Sequence, residues 1–146
     1  MEDNSFDVVL CTEVLEHVPE PIAVVHELGR ILKPGGKLIL TAPLGSGLHQ
    51  EPYHFYGGYT PHWYQKFLTE SGFEDITIVP NAGTLRHIGQ ETIRFVRLTM
   101  NLWWFWPVGL MLWPFLMMVP LVARALDSYC GDEFTVGYHV TAVKCR

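Results

Sequence analysis

The sequence predicts an α/β domain. Short apolar runs of strand length alternate with stretches whose apolar residues fall three or four apart, and turn residues separate the two kinds. Read in order, the rhythm is strand, helix, strand, helix, strand, with one more strand near the end.

Residues 6 to 11, FDVVLC, form the first strand, a compact run with β-branched Val8 and Val9 that suits a strand covered on both faces of a parallel sheet. From Pro21 to Leu32 the apolar residues Ile22, Val25, Leu28 and Leu32 trace one helical face, and Pro19 and Pro21 stand at its entrance. Lys33-Pro34-Gly35-Gly36 should stop that helix, because proline cannot continue it and glycine accepts positive φ. Residues 37 to 43, KLILTAP, then form the second strand.

The loop from Leu44 to Tyr59 is rich in Gly, His and Tyr, and loops of that length in compact domains are often functional. Thr60 is placed to cap a helix running through Ser71, with Trp63, Tyr64, Phe67 and Leu68 as its apolar face and Gly72 at its end. Residues 73 to 80, FEDITIVP, read as the third strand and residues 137 to 144, GYHVTAVK, as the fourth. Between them, residues 98 to 123 carry no charged side chain. Pro107, Pro114 and Pro120 should each break or kink a helix there.

The chain has 146 residues, 49% of them apolar, enough for one domain with a real core. Its net charge of -5 leaves no basic stripe for a phosphate backbone, so nucleic acid is not an expected partner. Cys11, Cys130 and Cys145 follow neither a disulfide nor a zinc spacing. The N-terminal residues lack the basic and apolar regions of a signal peptide, and a cytoplasmic location is expected.

Three stretches, FDVVLCTEVLEHVPEP, LGRILKPGGKLILTAP and YTPHWYQKFLTESGF, together resemble the class I S-adenosylmethionine-dependent methyltransferases. Within that family they are most similar to the type 11 group and the ubiquinone-biosynthesis O-methyltransferases. The resemblance covers residues 5 to 80 and resumes at GYHVTAVK. It implies a Rossmann-like sheet of seven strands in the order 3-2-1-4-5-7-6, of which these residues supply strands 4-5-7-6, the seventh antiparallel. The family's glycine-rich loop and ribose-binding acid precede the matching region, so residues 1 to 146 look like the C-terminal half of the domain, with an apolar helical insertion at about residues 84 to 131. S-adenosylmethionine is the implied cofactor and methyl transfer the implied reaction. A catalytically inactive fragment that binds a membrane or partner is the alternative. An unpaired edge on the first strand would invite a homodimer.

Glu13, Glu16 and His17 stand at i, i+3 and i+4, one face of a helical turn, just past the end of a parallel strand. Two carboxylates and an imidazole could ligate a divalent ion. Some relatives carry a matching ExxEH metal motif with a histidine downstream, and His54 is the match for that fourth ligand. Many others have a similar LEH turn without metal. In that case His17 or His54 could act as general base toward a hydroxyl acceptor. The resemblance also puts Cys11, Thr12 and Glu13 beside the cofactor; a small buried residue closing the strand is the simpler reading of Cys11. His49, His62 and His87 have no partner at a recognisable spacing, while Tyr53, Tyr56 and Tyr59 either wall a substrate pocket or pack the loop.

If residues 73 to 80 and 137 to 144 pair in one sheet, both ends of the apolar stretch must lie on one side of a membrane. Two crossings would need roughly 40 apolar residues. A monotopic or re-entrant hairpin is therefore expected, with Trp103, Trp104, Trp106 and Trp113 at the interface and Arg94, Arg97 and Arg124 flanking it. A greasy lid or dimer surface is the competing reading. A lipophilic small molecule or a lipid would suit either as methyl acceptor.

Overall fold

A computed structural model describes residues 1–100, 106–129, 131 and 134–146. Strand β1 (Phe6–Thr12) leads through a 3-10 turn at Leu15–His17 to helix α1 (Pro21–Ile31) and strand β2 (Leu32–Pro43). Helix α2 (Pro61–Glu70) and strand β3 (Phe73–Pro80) follow, then helices α3 (Thr84–Met100) and α4 (Trp106–Leu126), and strand β4 (Gly137–Lys144). The sheet order is β1-β2-β4-β3. β1 and β2 are parallel, and β4 runs antiparallel to both of its neighbours. The expected order and the reversed last strand are both present.

Local chemistry accounts for the elements. Thr60 Oγ1 accepts a hydrogen bond from Trp63 N at 3.3 Å, capping α2 as the sequence predicts. The Lys33–Gly36 segment does not lie outside the second strand; α1 ends at Ile31 and β2 starts at once. Pairing jumps from Phe6↔Leu32 to Val8↔Lys37, so the proline and glycines form a bulge within β2. Gly35, at φ 78, takes the left-handed turn this requires.

One face of the sheet makes the core. Leu38, Leu40 and Ala42 of β2 and Val140 and Ala142 of β4 are buried against Leu15, Val25, Tyr64 and Leu68. Each large side chain sealed in this way contributes roughly 1.5–3 kcal/mol. Because residues alternate faces along a strand, Cys11 enters this core while Val8 and Leu10 point the other way. They are 54% and 66% exposed, which corrects the expectation that the first strand is covered on both faces. Among the described residues, α1 and α2 both pack into the one cluster, and β1 pairs with β2 alone.

The chain divides into two compact units, Met1–Asn81 with Gly137–Arg146, and Ala82–Val136. The second is a helical hairpin. Asp127, just after α4, accepts from Gly83 N at 2.9 Å and Arg86 N at 2.8 Å, so it caps the start of α3. Gly89 lets the helices close: a Cβ there would stand 3.0 Å from Pro120 Cα and 3.2 Å from Ala123 Cβ. Contrary to the sequence expectation, α4 continues through Pro114 and Pro120. Each proline forfeits one backbone bond, while the residues around it stay helical; Pro107 lies in the first turn, where an N–H has no partner to lose.

The loop after β2 returns through Gly58, at φ 156, before Tyr59 N bonds Pro43 O at 2.8 Å. A Cβ on Gly58 would collide with the Leu44 carbonyl and come 2.7 Å from Pro43 O. Gly57 has only Ser46 O, at 3.5 Å, near its would-be Cβ. We expect Gly58→Ala to lower stability by about 2 kcal/mol or more, with Gly57→Ala close to neutral, in parallel thermal melts.

Candidate functional site

The site lies where two connections leave the carboxyl ends of parallel strands, the 3-10 turn after β1 and the long loop after β2. The loop is folded back onto the turn. Phe55 N and Tyr56 N both donate to Glu16 O, at 2.8 and 3.3 Å. Tyr56 Oη donates to Pro19 O at 3.0 Å and Tyr59 Oη to Leu15 O at 2.7 Å. Tyr59 is buried in the core and packs the loop there, Tyr56 is tied down at its hydroxyl, and Tyr53 stands exposed. Burial keeps the Tyr59 phenol protonated as a donor, its pKa pushed well above the ordinary value.

This docking gathers three imidazoles. The rings of His17 and His49 lie 4.9 Å apart, His49 and His54 4.5 Å, and His17 and His54 5.9 Å. Each ring is held by a hydrogen bond. His17 Nδ1 bonds Tyr53 O at 2.7 Å and His49 Nδ1 bonds Gly47 O at 2.9 Å. A carbonyl can only accept, so each Nδ1 carries a proton and the neutral ring keeps its lone pair at Nε2. His54 Nε2 meets Ser46 Oγ at 3.1 Å, and that hydroxyl donates to Gly57 O at 3.2 Å.

Glu16 completes the cluster. Its side chain is 1% exposed, Oε1 lies 3.8 Å from His17 Nε2, and Oε2 has no hydrogen-bond partner. Burial drives its pKa upward and the Glu13 carboxylate adds to the effect; its own backbone N–H, His17 and His49 pull downward without prevailing. One ligand atom each from Glu16, His17 and His49 lies within 4.8 Å of the others. A buried carboxylate oxygen without a partner and two anchored imidazoles fit a divalent cation. The nitrogen-rich set favours zinc, manganese or iron over magnesium.

The other sequence candidates sit around this group. Glu13 has φ 51 and the 3-10 turn begins only at Leu15, so Glu13 and Glu16 do not share one helical face. Glu13 Oε1 instead accepts from Thr41 Oγ1 at 2.8 Å. Thr12 is exposed at the end of β1, and Cys11 lies in the core with its thiol pKa raised, mainly by burial. His54 touches the cluster through His49. His49 is the member that sequence spacing missed; its signal was only its presence in a histidine-rich loop. His62 is exposed on α2, and His87 lies in α3 of the other unit.

Comparison with known proteins gives the family context. Residues 1–40 match the model of the methyltransferase domain family. The ubiquinone biosynthesis O-methyltransferase of Xanthomonas oryzae pv. oryzae is 55% identical over 40 residues, 27% of this chain and 17% of that protein. Its counterpart in Xanthomonas axonopodis pv. citri is 57% identical over 38 residues, 26% of this chain and 16% of that protein. The matched segment thus spans less than a fifth of these relatives. Among solved structures, Haemonchus contortus phosphoethanolamine N-methyltransferase 2, in complex with S-adenosyl-L-methionine, overlays 100% of this chain and 35% of its own at TM-score 0.57 and 19% identity. A putative methyltransferase from Bacillus halodurans overlays 100% of this chain and 67% of its own at TM-score 0.52 and 16% identity.

The raised Glu16 pKa has a pH consequence. A carboxyl group whose folded pKa exceeds its unfolded value costs nothing below the unfolded value, and destabilises increasingly as pH rises through the folded one. In EDTA, Glu16→Gln is expected to raise Tm at pH 7 to 8, with the gain shrinking to near zero by about pH 4. Thermal melts across that range check both the sign and the window.

Proposed function

We propose that this chain, which carries part of the Rossmann-like fold of the S-adenosylmethionine-dependent methyltransferases, supplies the acceptor side of such an enzyme's active site. The observation that carries the reading is the Glu16, His17 and His49 cluster at the carboxyl ends of β1 and β2. Doubly wound folds bind their ligands there. The methyltransferase match over residues 1–40 includes Glu16 and His17, and S-adenosylmethionine is the methyl donor it suggests.

In this reading the methyl group passes from the sulfonium of the cofactor to an acceptor hydroxyl lined up behind it, and positioning supplies most of the rate. His17 takes the hydroxyl proton at Nε2. Its Nδ1 hydrogen bond to Tyr53 O fixes the ring and stabilises the imidazolium that forms. Glu16, buried beside Nε2, favours the same protonated state. Thr12 and Glu13, at the end of β1, face the cofactor, with Glu13 held by Thr41. A divalent cation held by Glu16, His17 and His49 would be the alternative to that role, since it would occupy the same Nε2 lone pair of His17; it would lower the pKa of the acceptor hydroxyl when bound, and His54, braced by Ser46, would back the cluster.

The apolar α4 suggests that the enzyme works on the cytoplasmic side of a membrane, and a lipophilic hydroxyl compound is the acceptor class that suits such a location. Transfer of labelled methyl from S-adenosylmethionine into organic-extractable product, by the protein carrying the complete methyltransferase domain, tests the activity. We expect His17→Ala to cut the rate about a hundredfold or more while cofactor retention in equilibrium dialysis is kept. No labelled product and no cofactor retention would sink the reading. For the cation, calorimetric titration is expected to show zinc or manganese binding that Glu16→Ala abolishes and His49→Ala weakens about tenfold or more.

A further inference from the structure

We infer that the α3–α4 hairpin is a single-leaflet anchor for anionic phospholipid, with α4 sunk among the acyl chains and the arginine stripe of α3 at the phosphates. The inference rests on the membrane location proposed above, and adds the headgroup chemistry and the depth.

Helix α4 presents apolar side chains nearly all round. Leu116, Pro120 and Ala123, at i, i+4 and i+7, turn inward, while Met111, Phe115, Met118 and Leu121 are 72%, 73%, 54% and 63% exposed. No charged residue occurs before Arg124, and the helix Leu110–Tyr129 is long and apolar enough to cross a bilayer. Water is a poor solvent for such a surface.

Crossing is nonetheless excluded by the chain path. The residues flanking the hairpin are bonded to each other, Asn81 N to Gly137 O and Gly137 N to Asn81 Oδ1, both at 3.0 Å. Asp127 ties the end of α4 to the start of α3. Both ends therefore stay on one side, and α3 is too charged to be the second span of a pair.

Helix α3 has the pattern of an interfacial helix instead. At 100° per residue, Arg86, Gln90, Arg94 and Arg97 form one stripe, while Ile88 and Phe95 fall on the opposite side. All three arginines are exposed. The acid on this helix, Glu91, is already paired with Arg94 at 3.0 Å, so the stripe keeps a net positive charge. Arginine at a membrane surface prefers anionic lipid, and its planar fork suits phosphate.

The test is flotation of the full chain with vesicles of phosphatidylcholine alone and with added phosphatidylglycerol, plus quenching of tryptophan fluorescence by lipids brominated at shallow or deep acyl positions. We expect recovery with the anionic vesicles, binding reduced roughly tenfold or more by Arg86→Gln/Arg94→Gln/Arg97→Gln, and stronger quenching from the shallow position. Met111→Glu/Phe115→Glu should release the protein from both vesicle types, with circular dichroism confirming that the variants stay folded. Equal binding to both compositions, unmoved by the arginine changes, overturns the headgroup assignment. Stronger quenching from the deep position overturns the single-leaflet depth. Recovery in the soluble fraction with every vesicle overturns the membrane location itself. The methyl-transfer assay, run without vesicles, reports on the catalytic reading separately.

Discussion

The placement of β4 between β2 and β3 governs the rest of the architecture. The last strand lies antiparallel between two strands that precede it in the chain, pairing with β2 from Lys37 to Pro43 and with β3 from Phe73 to Pro80. Everything between Pro80 and Gly137 is thereby forced to leave the sheet and come back to one place. A helical hairpin answers that demand with local contacts, since Asp127 can cap α3 and Gly89 can admit Pro120 and Ala123. The same insertion seals the core, because Val140 and Ala142 of β4 are buried among Leu38, Leu40 and Ala42. Without β4, β2 and β3 would have no common partner.

At the carboxyl ends of β1 and β2 a second constraint operates, this one through a single backbone carbonyl. Glu16 O accepts from both Phe55 and Tyr56, and so fixes the return of the loop after β2 onto the turn after β1. The tyrosine hydroxyls anchor the same loop on Leu15 and Pro19. Histidines at 49 and 54 are carried in by this docking and meet His17, whose own ring is gripped by Tyr53 of that loop. The site is thus a property of the loop and turn together.

These two constraints explain which features were legible in the sequence. The strands, the Thr60 cap and the amphipathic α1 are local, and their residue types announce them. The sheet order came with the family resemblance, since pairing partners far apart in the chain leave no periodicity to read. Helix α3 was legible only as part of a helical insertion at about residues 84 to 131, because its inward stripe includes Gly89, which admits α4 by being small rather than apolar. His49 was invisible for a related reason: Glu16 and His17, with which it could share a ligand, are more than thirty positions away. The helical spacing of Glu13, Glu16 and His17 misled because Glu13 takes a left-handed φ of 51, which no residue type in that stretch signals. Val8 and Leu10 have the composition of buried residues, and composition does not tell which face of a strand its helices cover.

The Glu16 carboxylate joins the two levels. A buried oxygen without a partner is costly, and the backbone that carries this side chain is held in place by Phe55 and Tyr56. Protonation is one relief, and the raised pKa expresses it. Pairing with a cation or with a protonated imidazole is the other, and His17 and His49 stand where either would be shared. A ligand that satisfies Oε2 is bound more tightly in the folded state than in any other, so by linkage it also tightens the loop that holds the histidines. Loop order and ligand affinity at this site are therefore one equilibrium, and a change that loosens the clamp on Glu16 O weakens both together.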